Sequence, residues 1–305
     1  MENVFHKGEE AVQQMVGETK MAKRVARGIQ DSIYSGADNF MENQPMAFVA
    51  STDTSAQLWV SMLLGDVGFI NVPNAKKLSF ATEMIRCAKT DILYKNIMDN
   101  PEIGVLFINH GLRVRYRVNG MASLNGQNIQ VAVQEAYGNC PKYIQAGVLS
   151  QPEDLKKVDA QITTGLRLSD SQKAWIGNAH TFYVATRSSE GKTDASHRGG
   201  NTGFVSILED DTLRIPDYPG NSMFNTLGNI YENPNTGLLF VDFENGETLQ
   251  LTGKAALHFD QTSEKDLQKT GATGRFWTFE TNQWIHTKNQ YQVVWDFWNY
   301  SPFNP

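Results

Sequence analysis

The stretch Asn229-Ile-Tyr-Glu-Asn-Pro-Asn-Thr-Gly-Leu-Leu-Phe240 has a second copy 133 residues earlier, Asn96-Ile-Met-Asp-Asn-Pro-Glu-Ile-Gly-Val-Leu-Phe107. The match runs without a gap to Gly253-Lys-Ala-Ala-Leu257, which lies over Gly120-Met-Ala-Ser-Leu124. Ten of the 29 aligned positions are identical. Such self-similarity at a fixed offset is the signature of a repeated structural unit. The sequence therefore predicts two copies of one domain.

A further block of the repeat shows where the two copies differ. Ser196 to Phe204 lies over Ser61 to Phe69 at an offset of 135 residues. Within it, His197-Arg198-Gly199 in the second copy replaces Met62-Leu63-Leu64 in the first. The second copy then carries the Pro-Gly turn of Pro216 to Asn225, which the first copy lacks. We interpret the second copy as the ligand binder and the first as its structural partner.

Short runs of β-branched and aromatic residues, separated by turn residues, predict strands in both copies. Short strands at close spacing with few helices are typical of a β-barrel or β-sandwich. We predict a mainly β (α+β) protein in which two tandem barrels form a pseudo-dimer. The predicted divisions are a helical arm over residues 1–44, a first repeat over 45–150, a linker helix over 151–176 and a second repeat over 177–305.

Composition excludes several classes of protein. The chain has 305 residues, of which 40% are hydrophobic and 20% charged, as in soluble globular proteins. Its net charge of -6 and the lack of a dense basic run argue against a nucleic-acid partner. No apolar run is long enough to span a membrane, and the first residues have no apolar signal-peptide core. We expect a cytoplasmic protein that takes a small-molecule substrate or electron donor.

The remaining side chains indicate no metal site or disulfide framework. The two cysteines, Cys87 and Cys140, have no C-x-x-C spacing, and we interpret both as buried, inert thiols. The six histidines are scattered without the spacing of metal ligands. No sequence pattern identifies a catalytic acid, base or nucleophile.

The stretch from Asp194 to Phe204 is predicted to be a ligand-binding loop. Arg198 can hold a phosphate through paired, charge-assisted hydrogen bonds. The glycines at 199, 200 and 203 allow backbone N–H groups to approach a ligand closely. The alternatives are a surface ion pair for Arg198, a packing role for His197 and a turn cap for Asp194.

These segments resemble the pyridoxamine 5′-phosphate oxidase-like family, whose fold is the FMN-binding split β-barrel. The resemblance rests on Asp194-Ala-Ser-His-Arg-Gly-Gly200, Pro216-Asp-Tyr-Pro-Gly-Asn221, Asn225-Thr-Leu-Gly-Asn-Ile230 and Leu249-Gln-Leu-Thr-Gly253. Asn139-Cys-Pro-Lys-Tyr-Ile144 is similar to the join between barrels in the long, duplicated members. One departure is Tyr218, which stands where many relatives have a basic residue.

The resemblance implies that flavin binds in a groove between the two barrels, with the strand from Phe182 to Ala185 along its ring. FMN is the implied cofactor, and the sequence leaves FAD and a deazaflavin open as alternatives. A homodimer of such pseudo-dimers also stays open. The implied cofactor-binding residues are Ser196, His197, Arg198, Gly199, Gly200, Tyr218, Asn221 and Asn225.

The implied activity is that of a flavin-dependent oxidoreductase of unknown substrate. Two other functions remain compatible with the residues. One is a flavin or haem carrier or sensor without turnover, because a fold does not determine a function. The other is a structural barrel whose binding site has decayed, as the apolar Met62-Leu63-Leu64 suggests for the first copy.

Overall fold

The structure is a computed structural model that describes residues 4–87, 89–150, 159–289 and 292–305. Three helices, α1 (Lys7–Met15), α2 (Thr19–Val25) and α3 (Ala37–Glu42), lie within the predicted N-terminal arm. The start of α1 is fixed by a capping box, in which His6 and Glu9 satisfy each other's backbone N–H groups.

The first repeat forms a seven-stranded antiparallel sheet with the order β2-β1-β5-β6-β7-β4-β3. The helix α4 (Ile92–Asp99) precedes β5, and a short strand, β8, follows the sheet. The strands are β1 (Met46–Thr52), β2 (Leu58–Leu64), β3 (Ile70–Asn74), β4 (Lys77–Ala81), β5 (Glu102–Asn109), β6 (Val114–Asn125), β7 (Asn128–Asn139) and β8 (Ala146–Ser150).

The second repeat has the same strand order, β11-β10-β14-β15-β16-β13-β12, with β9 added beside β16. Its helices are α5 (Asp170–Asn178), α6 (Asn225–Glu232) and α7 (Glu264–Thr270). Its strands are β9 (Gln161–Gly165), β10 (Thr181–Arg187), β11 (Thr193–Gly199), β12 (Ser206–Ile207), β13 (Leu213–Pro216), β14 (Asn235–Asp242), β15 (Glu247–His258), β16 (Phe276–Lys288) and β17 (Val294–Asn299). Strand β17 leaves this sheet and pairs with β8 of the first repeat.

The two barrels meet face to face around matched residues. The rings of Phe48 and Tyr183, which occupy equivalent positions in β1 and β10, stack with centroids 3.4 Å apart. Gly104 of β5 lies so close to β11 that a Cβ there would be 2.7 Å from the backbone of Asp194 and Ala195. The equivalent Gly237 meets β2 in the same way. Both positions need glycine because the facing backbone leaves no room for a side chain.

Two segments differ from the sequence-based predictions. The stretch from Asp194 to Gly199 belongs to the strand β11 and is not a loop, because it pairs in continuous register with β10. Residues 151–158 of the predicted linker helix lie outside the described residues. Of the rest, Gln161–Gly165 forms a strand and a helix begins only at Asp170, so the linker is not one helix.

Candidate functional site

A cleft opens between the two barrels, beside β11 and the N-terminus of α6. Seven of the eight predicted cofactor-binding residues line it. Both barrels contribute to its walls. The residues that line it are Arg115, Arg117, Asn139, Cys140, Lys142, Tyr143, Ser196, His197, Arg198, Gly199, Phe204, Pro216, Asp217, Tyr218, Gly220, Asn221, Ser222, Phe224, Asn225, Thr226 and Leu227.

Gly200 and the strand from Phe182 to Ala185 stand apart from this lining. A Cβ at Gly200 would meet the ring of Phe204 at 2.6 Å, so this glycine allows aromatic packing. Residues 182–185 of β10 are fully buried in the cores of the barrels. They support the floor of the site from below and do not face the cleft.

Arg117 of the first barrel is the centre of the site's hydrogen-bond network. Its guanidinium forms an ion pair with Asp194 at 2.9 Å and donates to the Ser196 hydroxyl at 2.9 Å. It also donates to the Tyr137 hydroxyl at 2.8 Å and to Asn225 Oδ1 at 3.2 Å. Since Arg117 is only 4% exposed, these contacts hold a charge inside the protein. The main contacts of Ser196 and Asn225 are therefore with Arg117, although both residues also line the cleft.

Two further guanidiniums in the cleft, those of Arg115 and Arg198, form no ion pair among the described residues. Burial lowers the pKa of Arg198, and the nearby Asp217 opposes this only in part. Arg115 donates to the Cys140 carbonyl at 2.7 Å and contacts His197 Nδ1 at 3.2 Å. Burial, with Arg117 and Arg198 nearby, lowers the pKa of Arg115 to about 9, so it stays charged at neutral pH. The Nε of Arg198 is buried without a hydrogen-bond partner. Buried charges are normally paired, and this cleft carries an excess of positive charge.

The N-terminus of α6 adds uncapped backbone donors to the same place. Phe224 is the N-cap residue and cannot accept a hydrogen bond through its side chain. The first N–H groups of α6, from Asn225 to Leu227, therefore lack the side-chain acceptor that usually satisfies them. Such a helix end favours an anion, because backbone N–H groups and the helix dipole act together.

The equivalent place in the first barrel contains a carboxylate of the chain itself. Asp91, at the position of Phe224, caps α4 by accepting from Leu93 N at 2.9 Å. It also accepts from the Ser61 hydroxyl at 2.5 Å and from Gln250 Nε2 at 3.5 Å. Ser61 corresponds to Ser196 and Gln250 to Arg117 in the repeat. Burial raises the pKa of Asp91. Asp91 thus places carboxyl oxygens at this point of the first barrel, whereas Phe224 gives the second barrel no acceptor side chain there.

His197 is an uncharged side chain in the wall of the cleft. Burial and the guanidinium of Arg115 hold the pKa of His197 well below its ordinary value of 6.5. Because a guanidinium can only donate, Nδ1 of His197 accepts and the proton lies on Nε2. Nε2 is buried without a partner among the described residues. The ring is thus set to donate one hydrogen bond.

Two tyrosines form the aromatic rim of the cleft. The rings of Tyr143 and Tyr218 lie with centroids 4.8 Å apart, and the Tyr143 hydroxyl donates to the Pro219 carbonyl at 2.7 Å. Tyr143, Ser222 and Phe224 all have positive φ angles, between 59° and 68°. Bulky residues rarely adopt this conformation, so the loops around the cleft are held under strain by their surroundings.

The two cysteines differ in burial. Cys87 is buried and accepts from the Leu64 N–H, and burial raises the pKa of its thiol to about 12. Cys140 is half-buried and lines the cleft, so the prediction of two buried thiols holds for one of them. No cluster of potential metal ligands occurs within the part of the chain that the structure describes. No helix among these residues has the length and apolar character needed to cross a membrane.

The N-terminal arm contacts the site from behind through Glu9, whose Oε1 accepts from Asn225 Nδ2 at 2.5 Å. Burial raises the pKa of Glu9 from 4.5 to about 7. Because the pKa of Glu9 is higher in the folded than in the unfolded chain, its ionisation favours the unfolded chain. The free energy of unfolding therefore falls as pH rises from 4.5 through 7. The loss from this group is at most about 3 kcal/mol.

We expect Glu9→Gln to flatten this part of the pH dependence. Urea unfolding of both proteins between pH 4.5 and 8 measures it, with the exposed Glu10→Gln as the control. Glu10→Gln should retain the slope of the wild type. Parallel curves for Glu9→Gln and the wild type would show that Glu9 does not titrate in this range.

Comparison with known proteins assigns the second barrel to a family. A family model described as pyridoxamine 5′-phosphate oxidase matches residues 168–293. The second barrel belongs to the pyridoxamine 5′-phosphate oxidase-like family. The resemblance inferred from the sequence motifs is thereby confirmed, as is the mainly β fold. No curated protein matches the chain.

Solved structures of small proteins resemble about two fifths of the chain. HupZ of Group A Streptococcus is 18% identical, with a TM-score of 0.32, over 38% of this chain and 90% of its own. HutZ, described as the heme storage protein of Vibrio cholerae, is 13% identical, with a TM-score of 0.30, over 41% and 98%. A pyridoxamine 5′-phosphate oxidase-related, FMN binding protein of Nostoc punctiforme is 14% identical, with a TM-score of 0.27, over 44% and 100%.

Proposed function

We propose that the cleft binds FMN and that the protein is a flavin-dependent oxidoreductase. The observation that supports this proposal is the unpaired positive charge of Arg115 and Arg198 at the uncapped start of α6. A phosphate dianion offers the charge and the several acceptor oxygens that these donors lack. The carboxyl oxygens of Asp91, which cap α4 at the equivalent point of the first barrel, support the same placement of acceptor oxygens.

In this proposal, Arg115, Arg198 and the first N–H groups of α6 hold the phosphate, and Arg117 orients Ser196 and Asn225 beside it. The basic residue that is missing at Tyr218 is replaced by arginines of the first barrel, so both barrels are needed for one site. His197 donates a hydrogen bond from Nε2, and Tyr143 with Tyr218 closes the rim. FMN, when bound, supplies hydride or single-electron transfer at its ring, and the protein supplies orientation and electrostatics.

A carrier without turnover is the second candidate, and the same contacts favour it equally. Among the described residues, the cleft has no carboxylate that is free to act as a base, because Asp194 pairs with Arg117 and Asp217 pairs with Arg275, both at 2.9 Å. Rapid reduction by NAD(P)H followed by reoxidation with a defined acceptor distinguishes the oxidoreductase from the carrier. FMN that remains bound and inert in this assay identifies the carrier.

Arg198→Ala is expected to weaken FMN binding by about tenfold to a hundredfold, because hydrogen bonds from a charged group contribute about 1.5–3 kcal/mol. Quenching of flavin fluorescence on titration with the apoprotein measures the dissociation constant. Arg167→Ala, an exposed arginine of the same repeat, is the matched control and should bind as the wild type does. If the Arg198 and Arg167 variants bound FMN with equal affinity, Arg198 would not bind the phosphate.

A further inference from the structure

The loop from Asp217 to Asn225, here the binding loop, forms one side of the cleft and contains two strained residues. Ser222 and Phe224 have φ angles of 63° and 59°. Neither is a glycine, so each conformation costs free energy that contacts elsewhere must offset. The contacts within the loop are few, and one of them is the acceptance by Asn221 Oδ1 of the Met223 N–H at 3.2 Å. The binding loop therefore depends on its neighbours for its shape.

The N-terminal arm supplies contacts at three successive points of that loop. Glu18 Oε2 accepts from the Ser222 hydroxyl at 2.5 Å. Gln13 Nε2 donates to the Met223 carbonyl at 3.1 Å, and both groups are buried. Glu9 bonds to the side chain of Asn225 as described above. The arm thus contacts the binding loop at both strained residues or their immediate neighbours.

A close helix crossing fixes the arm in this position. A Cβ at Gly8 of α1 would be 2.2 Å from the Gly228 carbonyl oxygen of α6. A Cβ at Gly228 would in turn be 2.6 Å from the Cα of Glu9. Gly8 N also donates to Glu232 Oε1 at 2.7 Å at the end of α6. The two glycines let the backbones of α1 and α6 touch, and this contact fixes the position of the arm relative to the binding loop.

We propose that the N-terminal arm is a clamp that preforms the binding loop, with Gln13 and Glu18 as its positioning residues. This inference rests on the proposed FMN site, because the clamp fixes the loop that lines that site. A loop ordered before the ligand arrives loses less conformational freedom on binding, so the clamp increases affinity without touching the ligand. Gln13 and Glu18 lie outside the cleft lining, which separates their role from that of the arginines.

The test uses the full-length protein with the double variant Gln13→Ala/Glu18→Ala. FMN affinity should fall about tenfold, because two hydrogen bonds that hold the loop are lost. Gln14→Ala, on the exposed face of the same helix, should bind FMN as the wild type does. Glu18→Gln retains an oxygen that can accept from Ser222, so it should keep most of the FMN affinity that Glu18→Ala loses. If the double variant does not fold, the single variants give the same comparison.

Limited chymotrypsin digestion of the apoprotein tests the clamp independently of FMN. Cleavage after Phe224 should be several-fold faster in the double variant than in the wild type, because local opening of the loop costs less. Equal cleavage rates together with equal FMN affinities would overturn the clamp. A wild type that ignores FMN but whose loop is protected by the arm would instead overturn the proposed function and retain the clamp.

Discussion

Arg117→Ala is expected to lose FMN binding and to destabilise the protein by about 3–5 kcal/mol, the usual cost of leaving one partner of a buried ion pair uncompensated. The partner is Asp194, which is 4% exposed and pairs with Arg117 at 2.9 Å. The loss of binding has a separate cause, because the same guanidinium orients Ser196 and Asn225 at the start of α6. Urea unfolding and FMN titration measure the two effects.

A second variant separates stability from binding. Arg117→Ala/Asp194→Asn removes the unpaired carboxylate charge, so part of the lost stability should return. FMN affinity should not return with it, because the cleft still lacks the arginine. The account would be contradicted if Arg117→Ala bound FMN as tightly as the wild type, or if the double variant regained full affinity.

Gly104→Ala is expected to separate the two barrels locally and to destabilise the protein by about 1–3 kcal/mol or more, as overpacking does in a close-packed interior. The new Cβ would lie 2.7 Å from the backbone nitrogen of Ala195 and the Cα of Asp194, and neither atom can rotate away. β11 would have to move, and with it Ser196, His197 and Arg198 of the cleft. FMN affinity should therefore fall together with stability.

Gly138→Ala is the matched control for this prediction. Gly138 also lies in a strand, but no heavy atom is within 4 Å of the position of its Cβ. Thermal unfolding of both variants compares a crowded glycine with an open one, at about 2 °C per kcal/mol, the lower end of the range for large chains. A melting temperature for Gly104→Ala equal to that of Gly138→Ala would show that the barrel contact at Gly104 is not tight.

Sequence alone predicted the repeat, the mainly β class and most of one wall of the cleft. The repeat was visible because Asn96 and Asn229 make the same buried contact in each copy, with Ser51 at 2.9 Å and with Thr186 at 3.0 Å. Such side chains are tied to a position in the fold. His197 and Arg198 could be recognised because the other copy has apolar residues at those positions.

The contribution of the first barrel was missed. Arg115 and Arg117 alternate with apolar residues, a pattern that predicts a half-buried strand and does not by itself indicate a binding site. Their neighbours, His197 and Asp194, are 82 and 77 positions away in the sequence, so only the packing of the barrels brings them together. One signal was available, since Arg117 stands where the other copy has the uncharged Gln250. A charged residue that is present only in the first copy indicates a specific role for Arg117, as His197 and Arg198 do for the second copy.

The strand character of β11 was missed for a different reason. Glycines at 199 and 200 and polar residues at 194, 196 and 197 are typical of loops. The structure explains the glycine at 199 by a close approach, because a Cβ there would be 2.1 Å from the Tyr143 carbonyl oxygen. Tertiary contacts therefore override the local propensity of this segment.

The measurement that tests the site most directly is FMN stoichiometry, obtained from the absorption spectrum and by equilibrium titration of the purified protein. The proposed site predicts one FMN per chain, because Asp91 fills the equivalent place in the first barrel and Leu63 stands there at the position of Arg198. The oxidised flavin spectrum should appear and saturate at a ratio of one. A colourless protein that ignores added FMN, or one that binds two, would contradict this account.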